Sequence, residues 1–244
     1  MHMKNLTELA LAFCKKNLLL YIDIAECVKG GGRVLFASKK GVLAEHTPSG
    51  ILMLAAEDEK TAELALKELN KATPVEGGRW LVARAGIARE TAKNFLSISR
   101  ETTCFQVAYL GTDLLAVKGE LCFRLAERKE IEIIKQNYGL EPPENMEKLF
   151  LEKKIYCGFN QEGEFVGFIG SHPEGSMGML HIFPEYRRKG YAEELETRLA
   201  NEYIASGRVP YGHVIVDNLP SLALQKKLGL EVADEKICWL RVEK

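Results

Sequence analysis

Residues 177–205 read MGMLHIFPEYRRKGYAEELETRLANEYIA, and no other stretch constrains the fold as much. The first part has the short apolar run of a strand. The last part is an amphipathic helix, with Ala192, Leu195, Leu199 and Tyr203 on one stripe. Between them stand Arg187, Arg188 and Lys189, directly before Gly190. At a helix start several backbone N–H groups lack an intrahelical partner and the helix dipole is positive. Gly190 lets a ligand approach that backbone with no side chain in the way. A strand, a basic turn, a glycine and a long helix in this order make a phosphate site, and a diphosphate fits it.

The rest of the chain alternates strands and helices. In the first half, NLTELALAFCKK and the stretch through Cys27 read as helices. RVLFAS and GVLAEH read as strands about a KKG turn, and ILMLAAED as a third strand. EKTAELALKELN is a helix, and RWLVARAG, IARETAKNFLSI and TTCFQVAYLG follow as strand, helix and strand. GTDLLAVKGE is a connection, with a domain boundary expected near Lys118. Beyond it, LCFRLA is a strand, ERKEIEIIKQNYG and ENMEKLFLEKK are helices separated by Pro142 and Pro143, and IYCGFNQEGEFVGFIGS is a hairpin. After the basic turn and its helix come the strand PYGHVIVDN, the helix PSLALQKKLG and a last strand, EVADEKICWLRVE. The pattern predicts a mixed α/β (α+β) fold with a mostly antiparallel sheet.

Composition narrows the function. Lysine plus arginine number 33 against 34 for aspartate plus glutamate, a net charge of −1, and the basic cluster has no interleaved aromatics. Both facts argue against nucleic acid as partner. No apolar run approaches the roughly 20 residues that span a bilayer; LLLYIDIAECV is broken by Asp23 and Glu26. The six cysteines are scattered with no C-x-x-C pair, so neither a disulfide framework nor a metal site is expected. MHMKNLTELA lacks the apolar segment of a signal peptide, and a cytoplasmic location is expected.

Arg187-Arg188-Lys189-Gly190-Tyr191-Ala192 resembles the R/Q-x-x-G-x-G/A pyrophosphate loop of the GNAT superfamily of acyl-CoA-dependent N-acyltransferases. Pro184-Glu185-Tyr186 precedes it as in that family. Downstream, DNLPSLALQKKLGL is similar to the family's second signature, with Leu230 for its final aromatic residue. The resemblance covers Leu121 to Lys244. It implies acetyl-CoA as acyl donor, no metal, and a pantetheine arm that enters between two splayed strands and pairs with one of them. The pairing edge would be Leu180, His181, Ile182 and Phe183, with the amide of Ile182 as oxyanion donor. Arg187, Arg188, Lys189, Gly190, Tyr191 and Ala192 would hold the diphosphate. Asn218 is either a cofactor partner on the opposite wall or the cap of the next helix, and Ser221 is a further expected cofactor contact.

In the family the acyl group passes directly from thioester to amine, which requires a proton acceptor. SHPEGSMGML supplies Glu174 as first candidate and His172 as another; His213 and Asp217 in PYGHVIVDN are alternatives. The family's tyrosine acid is replaced here by Gln225, which leaves solvent, Tyr191 or Ser221 to protonate the leaving thiolate. Cys157 could carry the acyl group, but no histidine adjoins it in sequence.

The first half has a similar element order, but Glu57-Asp58-Glu59-Lys60 stands where the phosphate loop would be. Carboxylates there stabilise the helix and repel a diphosphate. The expected division is thus residues 1–118, a degenerate GNAT-like domain without a CoA loop, and residues 119–244, the acyl-CoA-binding catalytic domain. This layout is similar to that of the glycine N-acyltransferase-like (FR-type) branch. The expected function is transfer of an acetyl group to a primary amine of a small molecule or amino acid, by a monomer or homodimer acting without nucleic acid or membrane. The alternative is a non-catalytic acyl-CoA-binding module.

Overall fold

The computed structural model describes residues 2–72 and 78–243; Met1, 73–77 and Lys244, which the expected domains include, lie outside the described residues. In chain order the first half contains α1 (His2–Cys14), α2 (Ile22–Lys29), β1 (Arg33–Ser38), β2 (Gly41–His46) and β3 (Ile51–Ala56). It continues with α3 (Glu59–Ala72), β4 (Arg79–Arg84), α4 (Ile87–Phe95) and β5 (Ile98–Ala108). The second half contains β6 (Cys122–Leu125), α5 (Arg128–Asn137), α6 (Pro143–Leu151), β7 (Ile155–Phe159), β8 (Phe165–Ser171) and β9 (Met177–Ile182). After β9 come α7 (Tyr191–Ala205), β10 (Tyr211–Ile215), α8 (Leu219–Lys227) and β11 (Glu231–Val242). The elements follow the expected order, although β5 begins at Ile98, within the stretch expected as the end of a helix, and local chemistry explains several boundaries. A reciprocal capping box between Glu127 and Glu130 opens α5, Pro143 starts α6, and left-handed Gly229 follows α8.

The chain forms two compact units that do not follow the expected linear cut at Lys118. One comprises residues 1–108, 213–226 and 230–244; the other comprises 109–212 and 227–229. The physical reason is β11. Its residues Ile237 to Val242 pair antiparallel with β4, and Glu231 to Val242 pair antiparallel with β5. The last strand therefore completes the sheet of the first unit, which runs β1-β2-β3-β4-β11-β5. Ile237 faces one buried cluster, with Phe13, Ile24, Met53 and Val82; Leu240 faces the other, with Leu54, Leu66 and Leu81. Two-sided burial makes β11 part of that unit's core.

In the second unit β6, β7, β8 and β9 form an antiparallel run. On one face Leu195, Leu199 and Tyr203 of α7 pack with Val166, Ile169 and Met177. On the other face Ile131, Ile134, Met146 and Leu149 of α5 and α6 pack with Phe168, Cys157 and Met179. All six cysteines are free, and among the described residues no helix is long and apolar enough to cross a membrane.

A fragment of residues 119–244 would keep β11 and lose both of its sheet neighbours. We expect it to show no cooperative thermal unfolding in near-ultraviolet circular dichroism. A transition matching that of the whole chain would contradict this packing.

Candidate active site

The basic turn is shaped by unusual backbone. After β9, Pro184–Tyr186 make a single 3-10 turn, Arg188 adopts φ 63° and Gly190 φ 86°, and α7 begins. Left-handed backbone is strained for arginine and persists only where the surroundings impose it. Left-handed positions of this kind occur in the backbone turns that bind anions through N–H groups. The first helical bond runs from Glu194 N–H to Gly190 O at 3.2 Å, and Gly190 brings no side-chain cap. The N–H groups of Tyr191, Ala192 and Glu193 therefore have no partner within the helix.

The charges near this opening are sorted. Glu193 and Glu194 lie in the first turn of α7, where they would oppose an anion. Glu194 is buried and accepts the N–H groups of Glu120 and Leu121 and the Nε of Arg198, at 2.9, 3.1 and 2.9 Å. Glu193 accepts Lys227 Nζ at 2.7 Å and Lys118 Nζ at 2.9 Å, and these two lysines hold its carboxyl below the usual range. Lys118 and Glu120 also border the turn: a Cβ on Gly190 would lie 3.4 Å from Lys118 Nζ and 3.9 Å from Glu120 Oε2. Neither lysine could be assigned from local sequence, because they reach the turn from opposite sides of it in the chain. Lys189 lies over the Tyr186 ring at 5.5 Å, and Arg187 Nε donates to Ile182 O at 3.0 Å. The turn thus fits a diphosphate: free N–H donors, no side chain at Gly190 and several cations.

β9 leads into the turn with an unpaired edge. Phe168 opposes His181 and Gly170 opposes Gly178, so Met179 and Leu180 together face Ile169. This is a bulge, and Met179 takes φ 55° there. Phe183 N–H donates to Val166 O at 3.1 Å. By alternation the N–H groups of Leu180 and Ile182 point away from β8, to the outer edge. On that side β9 has one parallel bridge, Gly212 with Met177. Beyond it, the edge expected at Leu180, His181, Ile182 and Phe183 has no ladder partner among the described residues.

The hairpin that feeds β9 holds a buried polar cluster. Glu174 is only 3% exposed; Ser176 Oγ donates to its Oε1, and its Oε2 is enclosed without a partner. Burial raises its pKa, against the opposing pull of His172 and Ser176. Tyr203 and Arg208 donate to Gly175 O and Tyr211 to Glu174 O, which pins the hairpin. His172 bonds through Nδ1 to Glu141 Oε1 at 3.0 Å, and both side chains remain partly exposed, at 24% and 13%. Burial by itself lowers the pKa of His172, but the Glu141 bond and the charge of Glu174 outweigh it, and the net direction is upward. The pairing holds Glu141 below the usual carboxylate range despite its burial.

The remaining candidates belong to the first unit, apart from Cys157. Asn218 Oδ1 accepts Ser221 N–H at 3.2 Å, and Leu222 N–H donates to Asn218 O, so Asn218 caps α8. His213 Nδ1 accepts the indole N–H of Trp239 at 3.2 Å. Asp217 is exposed and Gln225 is buried. In the second unit Cys157 is buried, and burial pushes its thiol up to about 12, so it holds no thiolate to carry an acyl group. Among the described residues no cluster of side chains could hold a metal ion.

The first unit treats the equivalent elements differently. β3 and β4 pair parallel over three consecutive registers, Leu52 with Leu81 through Leu54 with Ala83. Asp58 Oδ1 accepts Thr61 N–H at 2.8 Å at the start of α3, and Lys40 neutralises Asp58 at 2.9 Å. Hydrogen bonds from Thr61 and Lys40 hold this carboxyl far below its ordinary range.

A model of the FR47-like protein family matches residues 156–240, which contain the turn, β9 and the hairpin. No curated protein matches the chain in sequence. Among solved structures, a Drosophila protein is similar over 99% of this chain and 97% of its own, with a TM-score of 0.73 at 14% identity. A GNAT-family acetyltransferase-like protein of Novosphingobium aromaticivorans is similar over 83% and 88%, with 0.57 at 18% identity. A GCN5-related N-acetyltransferase-like protein of Streptococcus suis is similar over 98% and 100%, with 0.56 at 16% identity. The chain has the GNAT fold, and the family model and the fold together support the GNAT assignment made from the basic turn.

The Glu141–His172 pair makes a pH-dependent contribution to stability. The raised imidazole stabilises the fold below its ordinary value of 6.5, and that gain is lost as pH rises through the folded value. The depressed carboxyl stabilises the fold above 4.5, and that gain is lost as pH falls through its folded value. Glu141→Gln should therefore lower the melting temperature most between these values, by on the order of 5 °C for one charged hydrogen bond. A deficit that is equal at pH 9 would contradict the pairing.

Proposed function

We propose that the chain is an acyl-CoA-dependent N-acyltransferase, which moves an acetyl group from acetyl-CoA to a primary amine of a small molecule or amino acid. One observation carries this reading: the uncapped, left-handed turn at Arg188 and Gly190 follows directly on a strand whose outer edge is unpaired. The N–H groups at the start of α7 would hold the diphosphate, with Arg188, Lys189 and Lys118 balancing its charge. Leu180 and Ile182 would extend the β9 edge onto the pantetheine arm. Their outward N–H groups are the two candidate donors to the thioester oxygen, where negative charge develops. The amine nitrogen forms a bond to the thioester carbon, the carbon–sulfur bond breaks, the nitrogen gives up a proton and the thiolate takes one. We place this chemistry in residues 119–244 and in the cytoplasm.

A second reading, binding without turnover, draws on Gln225. It is buried and is no acid, and it stands where the family has a tyrosine. The two readings part in a screen of acetyl-CoA consumption against amino acids, polyamines, aminoglycosides and peptide N-termini. Consumption with any amine selects the enzyme; binding with no acceptor selects the module.

CoA at about 100 times its Kd should stabilise the fold by ~2.7 kcal/mol, a rise in melting temperature on the order of 5–10 °C. Gly190→Val should abolish the rise, because a branched side chain fills the phosphate space and cannot hold φ 86° without strain. Lys118→Ala and Arg188→Ala should reduce it in a salt-dependent way. An undiminished rise in Gly190→Val would exclude the diphosphate site.

A further inference from the structure

We propose that His172, held by Glu141 over the backbone of Gly178, is the catalytic residue that takes the proton from the acceptor amine, with Glu141 as its positioning residue. The inference rests on the acyltransferase reading above.

Three side chains near β9 could accept a proton, and geometry separates them. Glu174 is enclosed, with one oxygen held by Ser176. His181 lies between Phe168 and Phe183, with ring centroids 5.3 and 5.4 Å away, and its Nε2 is buried without a partner. His172 and His181 are both half-buried, but of the two only His181 has its Nε2 enclosed. The Nδ1 of His172 faces a carboxylate, so Nδ1 carries the proton and Nε2 keeps its lone pair. Nε2 lies over β9, where a Cβ on Gly178 would come within 2.3 Å of it. The same Cβ would come within 2.6 Å of the ring's Cδ2, so the bare backbone of Gly178 is the floor under the ring. Gly178 stands two residues before Leu180, at most about 7 Å along the bulged strand, a distance that one bridging water can span.

The titratable groups facing the imidazole are Tyr138 from the end of α5, Glu141 from the turn before α6, and Glu174 from its own hairpin; the facing residues of β9 carry none. The two carboxyl groups favour the imidazolium. As the nitrogen–carbon bond forms and the carbon–sulfur bond breaks, Nε2 takes one proton from the amine. The imidazolium returns that proton through solvent to the departing thiolate, which leaves His172 unchanged.

The test combines calorimetry with acetyl-CoA, turnover of the amine found in the screen, and a histidine ring NMR titration. His172→Ala should still bind acetyl-CoA while kcat falls by on the order of 10²–10⁴, and added imidazole should restore part of the rate. In Glu141→Gln the His172 ring should titrate at lower pH, and the acid limb of kcat/KM should move down with it. Gly178→Ala should displace the ring and lower kcat with acetyl-CoA binding retained. If the parent binds no acetyl-CoA or accepts no amine, the acyltransferase reading falls and this inference with it. If the parent turns over and His172→Ala is as fast, the acyltransferase reading stands and this inference is wrong. A slow His172→Ala that imidazole does not rescue, with an unmoved acid limb in Glu141→Gln, would reduce the pair to a structural role and also overturn it.

Discussion

Every strand edge carries N–H and C=O groups that must find partners, and the way β9 meets this requirement governs the candidate site. The bulge at Met179 puts an extra residue into β9 against β8, and on its other side β9 makes a single bridge to Gly212. The N–H groups of Leu180 and Ile182 face that open side. In the first unit β3 meets the same requirement by pairing with β4 over three registers. A strand already hydrogen-bonded on both sides has no edge to offer an extended ligand, whereas β9 has one. Of the three non-glycine residues with left-handed backbone among those described, Met179 and Arg188 lie in β9 and in the turn after it.

Much of this was legible in the sequence, because it depends on local chemistry. The strand, basic turn, glycine and helix of 177–205 are encoded by neighbours, and hydrophobic periodicity placed the other elements within a few residues. Long-range pairing was not legible. Nothing in EVADEKICWLRVE states that it will lie between β4 and β5, since its alternating apolar residues would suit any sheet buried on both faces. The linear cut at Lys118 therefore differs from the packing units. The same limit applies to charge. The place before β9 points to Glu174, yet its side chain is buried and Ser176 holds one of its oxygens. Glu141, 31 residues from His172, carries no signal in sequence that the two will meet.

The two helix starts show how a few residues set different uses for one backbone pattern. Asp58 caps α3 with its own carboxylate, so the helix supplies its own anion and the local charge is balanced by Lys40. At α7 the position is Gly190, and the acids of the first turn are drawn away, Glu194 to the backbone of 120–121 and Glu193 to two lysines, which leaves Glu120 Oε2 beside the turn next to Lys118. A missing cap forgoes roughly 1 kcal/mol, and the left-handed arginine adds a strain of about 1–3 kcal/mol. Both costs are carried by the fold when the turn is empty. An anion with several oxygens, seated on the free N–H groups, would satisfy the donors and balance Arg188, Lys189 and Lys118 together. The turn is thus less stable alone than a capped helix start would be, and it has more to gain from a diphosphate.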